Sequence, residues 1–154
     1  METIASFAID HDRLEKGFYV SRVDGDVISY DIRMIKPNSP PYLTLNAAHS
    51  FEHLFATYVR NSPQSDQVVY VGPMGCMTGF YFLTRDSLPK QEALDLFREA
   101  LDFIAHYEGA IPGAEKSAEC GNYKAHDLPG AQALARDMQA VLADWQVADM
   151  VYPS

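Results

Sequence analysis

The chain has 154 residues, of which 47% are hydrophobic and 21% charged, a composition typical of a globular protein and too apolar for a disordered one. A chain of this length can bury its own core, so we predict a single domain over residues 1–154. The formal net charge of -9 would repel phosphate backbones and anionic lipid, so we expect neither a nucleic-acid nor a membrane partner.

The first predicted element is a β-hairpin over residues 18–35, which are rich in β-branched and aromatic side chains. Asp24-Gly25-Asp26 interrupts this stretch and is a strong turn signal between two strands. The next residues, 36–42, contain three prolines and show no apolar periodicity. We therefore predict a loop there.

A helix is predicted over residues 47–61, with Asn46 as its N-cap and Pro63 preventing much continuation. Apolar side chains recur at helical spacing along this stretch, so one face of the helix should be buried. The residues of that face are Phe51, Leu54, Phe55 and Tyr58.

Two further strands are predicted over residues 68–71 and 78–84, again from β-branched and aromatic side chains. The segment between them, Gly72-Pro73-Met74-Gly75, must bend sharply because glycine and proline disfavour a regular strand. Cys76 lies just beyond this bend.

The remaining chain is predicted to form two amphipathic helices. Pro89 lies at the start of the first helix and Gly109 closes it. The second helix begins near Asp127, which is suited to be its N-cap. The connection over residues 111–126 should be irregular, apart from a short strand around Cys120.

This order of elements favours an α+β fold class. Hairpins, rather than strands that alternate with helices, indicate an antiparallel β-sheet with helices packed on one face. A parallel α/β arrangement is less consistent with the pattern.

His49 and His53 are the first candidate site residues. Histidines at positions i and i+4 of a helix project from the same face and can chelate one metal ion. Glu52 lies beside them, where a carboxylate can transfer protons near the ion. Apolar neighbours such as Phe51 and Leu54 indicate that this helix is partly buried, and buried histidines need partners. The alternative is a surface helix with two solvated histidines.

The cysteines extend the candidate site. The chain carries no basic segment followed by an apolar core at its start, and no apolar run near the roughly 20 residues of a membrane span, so we expect a cytoplasmic location. Cys76 and Cys120 should then remain free thiols. Cys120 is the natural third ligand, and three protein ligands leave one position open, as in catalytic sites. Its alternative role is that of a small buried apolar residue.

Cys76 is bracketed by Gly75 and Gly79, which permit close approach of a ligand to the backbone. A thiol next to a cation is readily deprotonated and can act as a base or a nucleophile. Two alternatives stay open: an inert buried cysteine, or a second metal-binding thiolate in a closed site of two histidines and two cysteines.

Together these segments resemble the S-ribosylhomocysteine lyases, the LuxS family, which make the precursor of a bacterial autoinducer used in quorum sensing. The likeness covers residues 6–142 and rests on four segments in the right order. They are Ser6-Phe7 with Asp10-His11, the helix segment 49–56, the loop 73–80, and residues 119–123 with His126-Asp127-Leu128.

The resemblance implies a divalent metal, Fe²⁺ with Zn²⁺ as a possible substitute, held by His49, His53 and Cys120. It also implies Cys76 and Glu52 as the catalytic pair. In the implied reaction, two isomerisations move the carbonyl group along the ribose of S-ribosylhomocysteine. A β-elimination then releases homocysteine and a dihydroxypentanedione.

Further implied roles concern substrate binding. Ser6, His11 and Arg33 correspond to substrate contacts donated across a homodimer interface that holds the active sites. Arg60 corresponds to a contact with the substrate carboxylate.

The match departs from the family pattern just before Pro73. The family usually has an acidic residue and a serine where this chain has Tyr70 and Gly72, and that acid helps to hold the amino-acid end of the substrate. A phenol there removes a charge partner for an ammonium group, unless Tyr70 points into the core. A divergent relative that acts on another S-ribosyl thioether is therefore an alternative.

Two other classes share single features with the chain. Zinc peptidases with an H-x-x-E-H helix resemble it at residues 49–53, although they use a downstream glutamate as the third ligand. A metal-stabilised binding module without activity is the non-enzyme alternative.

Overall fold

The computed structural model describes residues 1–154 as four strands and three helices. The strands are β1 (Gly17–Asp24), β2 (Val27–Arg33), β3 (Val68–Pro73) and β4 (Gly79–Arg85). The helices are α1 (Leu45–Arg60), α2 (Lys90–Ala105) and α3 (Leu128–Val141), with single 3-10 turns at Ala5–Phe7, Ser65–Gln67 and Val147–Asp149. None of the helices is both long and apolar enough to cross a bilayer.

The strands form one antiparallel sheet in the order β1-β2-β4-β3. Asp24 pairs with Val27, so Gly25 and Asp26 form the predicted hairpin turn. Gly25 has a φ of 58°, a left-handed conformation that glycine adopts at no steric cost. The predicted α+β class is confirmed.

Successive side chains of the central strands point to opposite faces of the sheet. Tyr30 and Ile32 of β2 lie opposite Phe82 and Phe80 of β4, and all four belong to the core beneath the helices. The other side, which we call the outer face, carries the side chains of the intervening residues. These include Ser29, Asp31 and Arg33 of β2 and Tyr81 and Leu83 of β4.

Helix α1 begins at Leu45, two residues earlier than predicted. Its N-cap is Thr44, whose hydroxyl accepts the backbone N–H of Ala47 at 3.2 Å. The prediction of Asn46 as the cap was therefore wrong, because Thr44 already has the extended backbone that directs its side chain at the first helical turn.

The connection between α2 and α3 contains turns and no strand, so the short strand predicted around Cys120 is wrong. Local hydrogen bonds hold it instead, such as Glu119 N–H to the carbonyl of Lys116 at 3.0 Å. The predicted N-cap of α3 is confirmed, because the Asp127 carboxylate accepts the backbone N–H of Gly130 at 2.9 Å.

Candidate metal centre

Helix α1 places His49 and His53 side by side, with ring centroids 4.5 Å apart. Nδ1 of His49 donates to the carbonyl of Ala125 at 2.8 Å, and Nδ1 of His53 donates to the carbonyl of Pro112 at 2.7 Å. A carbonyl only accepts hydrogen bonds, so each Nδ1 carries a proton, and in the neutral form of each ring Nε2 is the nitrogen with the free lone pair. Metal-binding histidines are commonly oriented in this way.

The half-buried thiol of Cys120 faces the same space. Its Sγ lies 3.3 Å from Nε2 of His49, and the backbone N–H of Asn122 donates to it at 3.4 Å. The sulfur thus approaches Nε2 of His49, the ring nitrogen that is not bonded to the carbonyl of Ala125. The structure brings together the three ligands that the resemblance implies.

A third histidine, His126, joins this cluster and was not predicted as a ligand. Its ring stacks on His49 with centroids 4.0 Å apart, and its Nδ1 lies 2.9 Å from Oγ of Ser50. Its Nε2 is buried and has no hydrogen-bond partner. Burial, followed by the nearby His49 and His53, lowers the pKa of His126 to about 4. The ring is therefore neutral near pH 7.

One ligand atom from each of His49, His53, Cys120 and His126 can be chosen so that all four lie within 4.8 Å of one another. Imidazole nitrogens with one thiolate suit a divalent transition metal, including iron and zinc. The buried, unpartnered nitrogen of His126 is the kind of group that an ion in this space would satisfy. The residues present therefore fit a metal centre.

Glu52 lies next to this cluster on α1. It lines a cavity of about 160 Å³, together with His49, Met77 and Asn122. Glu52 is half-buried, and the cavity that it lines also includes His49 of the cluster. This position suits a group that moves protons beside the ion.

Cys76 lies at the exposed end of the bend between β3 and β4. Its thiol lines a neighbouring cavity of about 250 Å³, whose other walls include His11, Asn38 and Tyr42. No hydrogen bond joins Cys76 to Glu52. The next residue, Met77, belongs to the cavity of Glu52, so adjacent residues of one loop line the two cavities.

Arg33 lies beside Cys76 of its own chain. Its Nη1 donates to Oγ1 of Thr78 at 2.7 Å and lies 4.0 Å from the sulfur of Cys76. The rest of the guanidinium pairs with Asp31, and only 3% and 1% of these two side chains are exposed. A buried cation therefore lies within reach of the exposed thiol.

The other implied substrate contacts are spread over the chain. His11 shares the cavity of Cys76, whereas Ser6 lines a separate cavity of about 410 Å³ on the outer face. Arg60 is exposed at the end of α1 and donates to the carbonyl of Val69 at 3.2 Å. Within one chain, Ser6 and Arg60 line neither the cavity of Cys76 nor that of Glu52.

Tyr70 does not point into the core: it is 52% exposed and lines the cavity on the outer face. Its ring covers Gly72, where an added Cβ would overlap the phenol. The two departures from the family pattern are therefore coupled, because the glycine makes room for the tyrosine.

Comparison with known proteins extends the likeness over the whole chain. A family model described as S-Ribosylhomocysteinase (LuxS) matches residues 4–148. An S-ribosylhomocysteine lyase of Phocaeicola vulgatus is 46% identical over 160 aligned positions, which cover 100% of this chain and 99% of that protein. Lyases of the same name from Porphyromonas gingivalis and Clostridium acetobutylicum are 47% and 40% identical, over 86% and 99% of both chains.

Proposed function

This chain belongs to the LuxS family of S-ribosylhomocysteine lyases, and we propose that it releases homocysteine and a dihydroxypentanedione from S-ribosylhomocysteine. The observation that carries the proposal is the cluster of His49, His53, Cys120 and His126, with Glu52 in a cavity that includes His49 and Cys76 in the loop that borders that cavity. The second product would serve as an autoinducer precursor.

We propose that His49, His53 and Cys120 hold a divalent metal, Fe²⁺ with Zn²⁺ as a substitute, and that His126 contributes a fourth ligand, the third nitrogen, when no substrate is bound. The hydrogen bonds from Nδ1 to the carbonyls of Ala125 and Pro112 support this assignment, because they make Nε2 the nitrogen that binds a metal in the neutral ring. When bound, the metal supplies a Lewis acid that stabilises negative charge developing on a substrate oxygen.

Glu52 and Cys76 would carry the protons. Each isomerisation moves one proton between adjacent carbons and one between their oxygens, so a carboxylate and a thiolate next to the sugar can serve both transfers. After two isomerisations, the carbon beside the leaving group is next to a carbonyl and its proton becomes acidic. Removal of this proton forms a carbon–carbon double bond as the carbon–sulfur bond breaks, and the thiolate of homocysteine leaves with the electron pair.

We further propose a cytoplasmic homodimer that buries the outer face and completes the substrate site. The outer face and the segment over it expose large apolar side chains, with Phe7 at 72% and Tyr70 at 52%. Such side chains are a common feature of protein interfaces. In the dimer, Ser6, His11 and Arg60 would contact the sugar thioether from separate elements, and Arg33 would act beside Cys76.

The donor set disfavours the peptidase interpretation of the H-x-x-E-H helix. That class uses a downstream glutamate as its third ligand, whereas the group next to Nε2 of His49 is the sulfur of Cys120. Cys120→Ser should therefore abolish tight metal binding, which a peptidase site would not require.

The decisive experiment is anaerobic turnover of S-ribosylhomocysteine by protein loaded with ferrous iron, with mass spectrometry for homocysteine. Cys76→Ala, loaded with the same metal, is the matched control. Release by the parent chain and not by the variant supports both the activity and the role of Cys76. No release by a fully loaded parent protein would contradict the proposed substrate and favour a different thioether.

A further inference from the structure

Tyr152 lies beyond residues 4–148, which the family model matches, and it packs firmly on the sheet. Its ring stacks on Tyr19 of β1 with centroids 5.2 Å apart, and Tyr19 in turn meets Trp145 edge-on at 5.5 Å. The C-terminal segment is thereby fixed over the outer face.

The phenol of Tyr152 donates to Oδ2 of Asp31 at 2.7 Å. Asp31 is fully buried and accepts two further hydrogen bonds from Arg33, from Nη2 at 2.6 Å and from Nε at 3.1 Å. Burial, followed by the charge of Asp31, raises the pKa of Tyr152, so the phenol stays protonated and keeps donating near neutral pH.

The same guanidinium reaches the candidate catalytic thiol. With Nε and Nη2 fixed on Asp31, the planar group can direct Nη1 in only one way, and that atom donates to Oγ1 of Thr78 at 2.7 Å. Oγ1 of Thr78 lies 3.1 Å from Sγ of Cys76, and Nη1 itself lies 4.0 Å from this sulfur. A chain of contacts thus runs from the C-terminal segment to the thiol.

We propose that Tyr152 is a positioning residue for Cys76: it orients Asp31, and through it Arg33, so that a fixed positive charge faces the thiolate. The inference deepens the proposed function, because it rests on Cys76 as a proton-transfer group. Tyr152 acts only through Asp31 and Arg33. Other ionisable groups near this path include Tyr19, which stacks on Tyr152, His11 and Tyr42 in the cavity of Cys76, and Tyr81 opposite Asp31.

The test is Tyr152→Phe, which keeps the ring on Tyr19 and removes only the hydroxyl. Tyr58→Phe is the matched control, because it removes a phenol-to-carboxylate hydrogen bond to Glu99 that lies away from the site. The readout is the rate at which iodoacetamide alkylates Cys76 in metal-loaded protein at pH 7, followed by peptide mass spectrometry. The thiolate is the reactive form, so the rate reports how well the positive charge faces the sulfur.

We expect alkylation of Cys76 to slow roughly 3- to 10-fold in Tyr152→Phe and to match the parent in Tyr58→Phe. Turnover should show a similar fall in kcat with KM unchanged, because Tyr152 does not contact the substrate. Cys120 is the internal reference, since a loosened fold would expose it to alkylation, whereas a broken path to Cys76 would not.

A double-mutant cycle with Asp31→Asn separates this path from a general effect on the fold. If Tyr152 acts through Asp31, adding Tyr152→Phe to Asp31→Asn should change the alkylation rate no further. A parent-like rate in folded Tyr152→Phe, or an equal further loss in the double variant, overturns the inference. Alkylation does not require turnover, so this result stands apart from whether the protein cleaves S-ribosylhomocysteine.

Discussion

The hydroxyl oxygen of Ser50 lies 2.9 Å from Nδ1 of His126 and accepts the backbone N–H of Asp127 at 2.8 Å. This fully buried serine therefore ties the metal-binding turn of α1 to the start of α3. One helical turn supplies two histidines directly and orients a third through the serine between them.

His126→Ala should weaken metal binding roughly 10- to 100-fold, because the site loses a nitrogen or its nearest polar neighbour. Affinity can be measured with Co²⁺ or Zn²⁺ against a chromophoric chelator, and the visible spectrum of the Co²⁺ form should also change. Ser50→Ala should have a smaller effect in the same direction. His106→Ala is the control, since His106 is exposed and lies outside the cluster. Unchanged affinity and spectrum in His126→Ala would exclude it as a ligand.

Gly79→Ala should destabilise the protein by roughly 1–3 kcal/mol, because a Cβ at this position would overlap the backbone carbonyl of Ile32 in the neighbouring strand. The control is Gly75→Ala, in the bend that precedes β4, where an added Cβ meets no atom within 4 Å. Denaturant unfolding compares the two variants. Equal midpoints would show that β2 and β4 can move apart without cost.

Tyr30→Phe should stabilise the protein by roughly 1 kcal/mol. The phenol oxygen is buried and makes no geometrically well-formed hydrogen bond, even to the nearby Thr84, and such a group costs free energy in the folded state. Tyr107→Phe is the opposite control, because its hydroxyl donates to the carbonyl of Ala110 at 2.6 Å. Urea denaturation at pH 7 measures both changes, and a loss of stability in Tyr30→Phe would reveal a partner for the hydroxyl.

Tyr30 should also lower the free energy of unfolding at alkaline pH. Burial raises the pKa of Tyr30 from 10.0 to about 12. A raised pKa means that the folded state favours the neutral phenol, so this contribution is present below pH 10 and is lost as pH rises from about 10 to about 12. The free energy of unfolding should therefore fall less steeply in Tyr30→Phe across this range. Parallel curves for the two proteins would assign the alkaline loss to other groups.

Tyr70→Asp should lower the KM for S-ribosylhomocysteine roughly 2- to 5-fold, the size expected for an exposed carboxylate that pairs with the substrate ammonium. Tyr70→Asn is the neutral control, and an analogue without the amino group should not distinguish the two variants. A KM that rises in Tyr70→Asp would show that this position does not face the ammonium and would favour a substrate that uses the phenol.

The fold was predictable to the extent that it depends on local patterns. The turn at Gly25 and the cap at Asp127 follow from residues whose backbone preferences are strong. The start of α1 was misplaced, because Thr44 and Asn46 are both competent caps and only the backbone conformation decides between them. The strand expected near Cys120 is missing because a strand requires a partner that the sequence does not specify.

The site was predictable where its groups share one helix. His49 and His53 follow from helical spacing, and Cys120 followed from chemistry and from the family resemblance. His126 belongs to one of the segments that carry the family resemblance, yet no local pattern indicates that its ring stacks on His49, far away in sequence. The contact of Tyr152 with Asp31 joins residues 121 positions apart, and no periodic pattern in the sequence indicates it.

The carbonyls of Pro112 and Ala125 are held by histidines one helical turn apart. The intervening chain is therefore fastened at both ends to a rigid helix, and its residues 115–119 are exposed. The entropic cost of closing a loop between two fixed ends depends only weakly on the length of the loop. The exposed residues 115–119 should therefore tolerate changes in length and composition, provided that Cys120, which follows them, still reaches the cluster.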